Sequence, residues 1–197
     1  YSSSAAVYGN PQYLPIDEKH SLFPQAGYGI SKQAPEKYLI LYKELYGLDY
    51  TVLRYANVYG PRQDSSGEGG VVGIFVERFV KGNQPVIYGD GEQTRDFIFV
   101  EDVARANLLA LEKGSGRIMN ISTGRATTIN KLFDTLVDLT GINVKAVYAE
   151  PRKGDILHSY LDNSLARKVL NWNPSVNLRE GLEITLQYEG NKLVQYT

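Results

Sequence analysis

No cysteine occurs anywhere in the chain, which excludes disulfides and thiolate metal sites and leaves the redox compartment open. No apolar run approaches the roughly 20 residues that cross a bilayer. The opening residues, Tyr1-Ser2-Ser3-Ser4-Ala5-Ala6-Val7, carry neither a basic lead nor a signal-peptide core. A membrane partner is therefore not expected, and the cytoplasm is the default location. Basic runs are missing too: 21 Lys and Arg stand against 22 Asp and Glu, for a net charge of −1. That balance argues against nucleic acid as the main partner. The two histidines, His20 and His158, lack metal-ligand spacing and are expected on the surface, with no metal site. The G-x-G-x-x-G turn that opens a dinucleotide-binding sheet is absent as well. Its nearest approximations, Gly67-Glu68-Gly69 and Gly89-Asp90-Gly91, have Val72 and Thr94 where the last glycine belongs.

What remains is an ordinary globular composition, 43% hydrophobic and 22% charged, with length for a sizeable core in one domain or one and a half. Ser2 to Val7 reads as a strand end, turned by Tyr8-Gly9-Asn10-Pro11. Pro15 to Pro24 reads as polar loop. Tyr38, Leu41, Tyr42 and Leu45 recur at helical spacing in a helix from about Gly27 to Tyr46. Gly47 closes it, and Pro35 predicts a kink or locally loosened hydrogen bonding within it, beyond the Tyr28/Lys32 turn. Tyr50–Tyr55 is a β-rich run that suits a buried parallel strand, and Asn57–Gly70 a long loop. Further helices are expected over Val71–Lys81, Glu101–Lys113, Thr128–Thr140, Leu165–Leu170 and Leu178 to about Tyr188. Strands are expected over Pro85–Tyr88, Asp96–Val100, Arg117–Ser122 and Lys145–Ala149. Strands alternating with helices indicate an α/β architecture with some parallel sheet.

One group of residues invites a chemical reading. Tyr28 and Lys32 lie four apart on the first helix and share a face, with Cβ atoms about 5–6 Å apart. An ammonium beside a phenol favours the phenolate, which a tyrosine titrating near ~10 otherwise rarely reaches at neutral pH. A nearby serine from Ser2-Ser3-Ser4 could hold a substrate oxygen. Spacing alone does not separate such a pair from chance amphipathicity.

The wider pattern adds four motifs in order: Ser2–Gly9 before Tyr28-Gly29-Ile30-Ser31-Lys32, then Arg54-Tyr55-Ala56-Asn57-Val58-Tyr59-Gly60-Pro61, Tyr88-Gly89-Asp90-Gly91 with Thr94-Arg95-Asp96, and Arg152-Lys153-Gly154-Asp155. Over essentially its whole length the chain resembles the extended short-chain dehydrogenase/reductase superfamily, in particular nucleotide-sugar 4-epimerases of the UDP-glucose (UDP-galactose) type. The resemblance implies part of a doubly wound, Rossmann-like parallel sheet with a smaller mixed α/β substrate-binding lobe. Residues 1–60 would belong to the NAD-binding domain and 61–197 mainly to the sugar-nucleotide lobe, with about 90–125 returning to the first. It also implies that the chain is the C-terminal three-fifths of such an enzyme, the glycine-rich segment lying N-terminal to it.

Site roles follow from the same resemblance. Tyr28 is the implied catalytic base, Lys32 its partner and a ligand of the nicotinamide ribose, and Ser4 the serine beside the sugar hydroxyl. Tyr55 and Ala56 would lie beside NAD. Asn57, Arg95 and Arg152 would hold the diphosphate, Asp155 the ribose, and Val86 with Tyr88 the uracil. The bland alternatives are a salt bridge from Arg95 to Asp96 or Asp102, a solvated Arg152 and a Tyr88 that only packs. Ser159 falls where a bulky residue would limit the space at the sugar C2 group; its small size would admit an N-acetyl group, unless a one-residue shift brings Tyr160 there. Ala5 and Ala6 replace the acidic residues that elimination needs, which leaves hydride shuttling. The implied partners are a UDP-sugar and a second copy of the chain, a homodimer through a bundle containing the first helix. The serines lack a G-x-S-x-G elbow, against a serine hydrolase. The sequon Asn120-Ile121-Ser122 lies in an expected buried strand, against glycosylation.

Overall fold

The computed structural model describes residues 1–65, 70–142, 144–152 and 154–195, with residues 192–195 described by backbone alone. The approximate glycine motif at Gly67-Glu68-Gly69 and residue Lys153 lie outside this range.

The site grows from a parallel sheet of three strands, β1 (Ser2–Ser4), β2 (Thr51–Tyr55) and β7 (Arg117–Ile121), with β2 in the middle. Ser4 stands opposite Tyr55, and Tyr55 opposite Ile121. Val52, Leu53 and Arg54 are all buried in succession, as a strand covered on both faces requires. The first helix, α1, runs over Gly27–Tyr46 as one element through Pro35. Gly47, at φ 69°, donates its N–H to the carbonyls of Lys43 and Tyr42, a left-handed cap that a residue with Cβ adopts only at a cost.

Beyond β2 the chain forms β3 (Asn57–Tyr59), α2 (Val71–Val80), β4 (Val86–Tyr88), β5 (Thr94–Arg95), β6 (Phe97–Phe99) and α3 (Val100–Ala110). After β7 come β8 (Thr127–Thr128), α4 (Ile129–Thr140), β9 (Val147–Ala149), α5 (Ser164–Leu170) and α6 (Leu178–Gln195). The pairs β3–β6 and β4–β9 are parallel, and β5–β8 is antiparallel. The architecture is mixed α/β. Thr128 caps α4 by accepting from the Lys131 N–H at 3.0 Å. No helix among the described residues is long and apolar enough to cross a membrane.

Two larger cores support these strands. Phe75 and Phe79 of α2 pack with Leu132 and Leu136 of α4, Leu182 of α6, and Tyr59 and Phe99 of the β3–β6 pair. Leu53, Met119 and Ile121 of the three-stranded sheet pack with Val103, Ala106, Leu170 and Trp172. The single tryptophan, Trp172, donates its indole N–H to the Asp102 carbonyl at 2.9 Å, which satisfies that buried donor.

Several expectations need correction. The strand expected over Ser2–Val7 ends at Ser4, whose hydroxyl accepts from the Ala6 N–H at 3.2 Å and starts a 3-10 turn, Ala5–Val7. The loop expected over Asn57–Gly70 begins with β3, a strand whose pairing partner β6 is distant in sequence and so invisible locally. β5 and β8 went unexpected because two residues carry no periodicity. The strand expected from Asp96 starts at Phe97, because the Asp96 carboxylate turns inward to bind loops. The last helix runs past Tyr188 to Gln195. His20 is buried rather than on the surface: its Nε2 accepts from the Gln12 N–H at 2.9 Å, which leaves Nδ1–H to donate to the Ser21 carbonyl at 2.8 Å. Finally, the apolar stripe that marks α1 faces outward, with Tyr38 63% and Tyr46 72% exposed.

Leu170 is fully buried in the second core. Leu170→Ala is expected to lower the unfolding free energy by about 2–5 kcal/mol, read as a lower denaturant midpoint at unchanged slope.

Candidate active site

The face that α1 turns to the sheet carries Tyr28, Lys32 and Glu36, each four residues from the next. Two of them grip β1 directly. Lys32 Nζ donates to the Ser2 carbonyl at 3.0 Å, and Glu36 accepts from the Ser3 hydroxyl at 2.5 Å. Tyr28 lies one turn before Lys32 on the same face, and it lines one cleft together with Ser4. The Lys32 ammonium lies 5.8 Å from the centre of the Tyr28 ring and 5.8 Å from that of Tyr1.

Gly29 makes this approach possible. A Cβ at that position would lie 2.6 Å from the Ala6 carbonyl oxygen and 2.7 Å from Pro24 Cβ, so α1 could not sit this close to the 3-10 turn with a side chain there. The requirement is contact, not backbone conformation.

Beneath the pair lies a buried polar network. Glu36, 1% exposed, receives Arg54 Nε at 3.0 Å and Nη2 at 2.6 Å. Arg54 Nη1 donates to the Tyr8 hydroxyl at 3.0 Å, and that hydroxyl donates to Asn120 Oδ1 at 2.7 Å. Burial pulls the Arg54 guanidinium down, but Glu36 and Tyr8 outweigh it and hold its pKa above the ordinary value. Burial pushes the Tyr8 phenol up to about 12 against the pull of Arg54, so Tyr8 keeps the proton it donates. Asn120 lies buried in β7, where the expected strand placed it.

The cleft beside Tyr28 has a volume of about 580 Å³ and is lined also by Ala5, Ala6, Tyr55, Ala56, Asn57, Arg95, Asp155 and Ser159. A second cavity of about 410 Å³ is lined by Val86, Tyr88, Arg152, Asn57, Arg95 and Asp155. Asn57, Arg95 and Asp155 belong to both, so the two form one groove. The structure therefore brings all twelve sequence-nominated residues except Lys32 to the groove wall, and Lys32 stands behind Tyr28. Ser159, not Tyr160, is among the residues lining the cleft.

Charge is arranged along this groove. Arg95 Nη2 pairs with Asp155 at 2.5 Å, while Nη1 donates to the carbonyls of Thr94 at 2.8 Å and Ile156 at 2.6 Å. Its ion-pair partner is thus neither Asp96 nor Asp102; Asp102 pairs with Arg105. Arg152 is an exposed loop residue whose guanidinium lies 4.1 Å from the centre of the Tyr88 ring, a cation–π distance. Asp96 is buried and accepts from the Thr123 N–H and hydroxyl, the Gly124 N–H and the Leu161 N–H at 2.6–3.3 Å. Burial raises its pKa against those four bonds. It ties Arg95 to the far end of the segment that carries Asp155 and Ser159.

Sequence reasoning passed over Gly29, Glu36, Arg54 and Asp96. A signal for Glu36 was present, since it continues the Tyr28–Lys32 spacing by one turn. The other three depend on contacts between distant segments.

Comparison with known proteins decides the family. The model of the NAD dependent epimerase/dehydratase family matches residues 1–122. The chain belongs to that family. The UDP-glucose 4-epimerase of Mycolicibacterium smegmatis is 42% identical over 192 residues, 97% of this chain and 61% of the relative. Among solved structures, the Thermotoga maritima UDP-glucose 4-epimerase with UDP-glucose matches at a TM-score of 0.95 and 50% identity, over 98% of this chain and 63% of that one. The UDP-N-acetylglucosamine 4-epimerase of Methanobrevibacter ruminantium, in complex with UDP-N-acetylmuramic acid, matches at a TM-score of 0.94 and 39% identity, over 98% of this chain and 62% of that one. The chain thus spans about three-fifths of the length of the epimerase/dehydratase relatives it matches.

Gly29→Ala is expected to leave the helix content intact and to push α1 off the 3-10 turn. A displacement near 1 Å costs on the order of 10²-fold in turnover when it separates reacting groups. Circular dichroism beside a turnover assay, made on a form that includes a glycine-rich dinucleotide segment, checks both halves of that expectation.

Proposed function

We propose that this chain carries the proton-transfer group and the sugar-nucleotide site of an NAD-dependent UDP-sugar 4-epimerase, acting on a UDP-hexose of the UDP-glucose/UDP-galactose type. The observation that carries the reading is the continuous groove from Tyr28 and Ser4 to Arg152 and Tyr88, joined through Asn57, Arg95 and Asp155. A sugar diphosphate linked to a flat base needs those parts in that order. The likeness to relatives named for UDP-glucose supports the same substrate class.

The residues fit one end of the dinucleotide. Ala5, Ala6, Ala26, Gly29 and Ala56 leave the cleft wall beside the phenol free of bulk, as a flat nicotinamide ring requires. Tyr28 and Lys32 would hold its ribose, with Tyr55 and Ala56 at its edge. NAD supplies a reversible hydride acceptor when bound.

Within that frame the chain's own residues handle the proton. Ser4 holds the sugar O4 hydroxyl, and Tyr28 takes its proton as C4 gives up hydride and becomes a ketone. Lys32, bound to the Ser2 carbonyl, keeps its ammonium 5.8 Å from the centre of the Tyr28 ring, near the charge that the proton transfer moves. After the 4-keto sugar turns in the site, hydride returns to the opposite face and Tyr28 returns the proton to O4, so C4 is inverted. Arg95 and Arg152 hold the diphosphate, with the planar fork suited to it, and Asn57 adds an amide. Asp155 binds the ribose, and Val86 with Tyr88 accepts the uracil.

The cleft lining favours a neutral sugar over a uronate. Among the described residues that line the cleft beside Tyr28, Arg95 is the only cationic side chain, and Asp155 occupies it. The small Ser159 supports a second reading, in which the enzyme accepts an N-acetylhexosamine. A homodimer through α1 is part of the proposal; the outward stripe of Tyr38, Leu41, Tyr42, Leu45 and Tyr46 supports it.

Two outcomes are expected. Tyr28→Phe lowers turnover on the order of 10²–10⁴-fold, the usual contribution of a general base, and leaves UDP affinity by calorimetry nearly unchanged; undiminished turnover would sink the mechanism. A panel of UDP-glucose, UDP-N-acetylglucosamine and UDP-glucuronate, followed by NMR for C4 inversion, should give fastest turnover with UDP-glucose.

A further inference from the structure

We infer that the buried Glu36–Arg54 ion pair sets the register of α1 against β1, making both side chains positioning residues for the proton transfer. The inference rests on the function proposed above. Neither residue lines the groove, so neither touches substrate. Their placement nonetheless connects α1, β1 and β2, the elements that carry Tyr28, Ser4 and Tyr55.

Glu36 is the third member of the stripe that begins with Tyr28 and Lys32. Its carboxylate accepts the hydroxyl of Ser3, the residue before Ser4, at 2.5 Å, while Lys32 meets the carbonyl of Ser2 at 3.0 Å. Two successive turns of α1 thus hold two successive residues of β1. Among the described residues no hydrogen bond joins Tyr28 to Ser4, whose hydroxyl meets the Ala6 N–H instead, and that is where reacting groups must remain free. Arg54 clamps the other side. It delivers two nitrogens to the Glu36 carboxylate at 3.0 and 2.6 Å, from the strand that continues into Tyr55, Ala56 and Asn57. Its remaining arm reaches Tyr8, just past the 3-10 turn that Ser4 caps, and Tyr8 reaches β7 through Asn120.

The geometry is selective. A bidentate pair between planar groups fixes distance and angle together, whereas an apolar contact would let the helix slide. One turn of slippage moves α1 by about 5.4 Å, and a small fraction of that separates Tyr28 from an oxygen held by Ser4. Lys32 moves with Glu36 on the same rigid helix, so a slip also carries the ammonium away from its carbonyl.

Conservative variants test this in a turnover-competent form that includes a glycine-rich dinucleotide segment. Glu36→Asp keeps the charge and shortens the arm; Arg54→Lys keeps the charge and loses the fork. Both should lower kcat on the order of 10²-fold with KM for the UDP-sugar nearly unchanged, and should shift the acid limb of the pH–rate profile, because the ammonium no longer lies where it did. Leu170→Ala, destabilised through the second core, is the reference and should keep wild-type kcat and profile. If either charge-conserving variant fails to fold, Ser3→Ala removes one hydroxyl beside an intact pair and should give the same signature at several-fold. Variants of Glu36, Arg54 and Ser3 that match Leu170→Ala in kcat and profile overturn the inference. Undiminished turnover in Tyr28→Phe would instead overturn the functional reading beneath it.

Discussion

A carboxylate and a guanidinium taken out of water together impose the strictest constraint in this structure. Burying each ion costs several kcal/mol, and attraction offsets that only when geometry is good and the remaining polar atoms find partners. Glu36 and Arg54 meet both conditions: two charge-assisted bonds join them, Ser3 takes up further capacity on the carboxylate, and Tyr8 occupies the third guanidinium nitrogen. Such a pair cannot shift without exposing an unpaired charge to an apolar interior. The elements that supply it, β1, α1, the 3-10 turn, β2 and β7, are thereby held in one arrangement. The same elements carry the phenol, the ammonium and the serine.

The groove is built differently at its two ends. Beside Tyr28 the walls include Ala5, Ala6, Ala26, Gly29 and Ala56, and close approach does the shaping, since a Cβ at Gly29 would lie 2.6 Å from the Ala6 carbonyl oxygen. At the end beside Tyr88 charge does it. Arg95 and Asp155 occupy each other, and Arg152 lies on Tyr88, so the cations stay near the groove before any anion arrives. Asp96 connects the two regimes. Its four bonds hold the backbone of Thr123, Gly124 and Leu161 beside Arg95, and a rigid frame of that kind is what loop-borne binding residues need.

The stripe along α1 shows how a correct reading can rest on an incomplete reason. Tyr38, Leu41, Tyr42 and Leu45 mark the helix by their period, yet they do not pack on the described core. The residues α1 buries are Gly29 and Glu36, neither of which a hydrophobicity pattern singles out. His20 errs in the opposite sense: an isolated histidine suggests a surface position, but the Gln12 N–H and the Ser21 carbonyl satisfy both ring nitrogens in the interior. Burial of a polar side chain depends on partners, and partners are tertiary.

By itself the sequence determined the local features whose causes are local. The helix over Gly27–Tyr46 with its glycine cap, the threonine cap of α4, the buried run Val52–Arg54 and the four-residue spacing of Tyr28 and Lys32 all follow from period and from the conformational preferences of single residues. It also nominated the residues that line the groove, because their motifs lie in order along the chain. Tertiary structure decided what pairs with what: β3 with β6, Arg95 with Asp155, Arg152 with Tyr88, Asp96 with two loops, and Glu36 with Arg54. Each of those contacts joins segments far apart in the chain, where no period or propensity carries information. Whether a phenol and an ammonium on one helix face form a reactive group depends on what stands opposite them, and only the folded sheet supplies that.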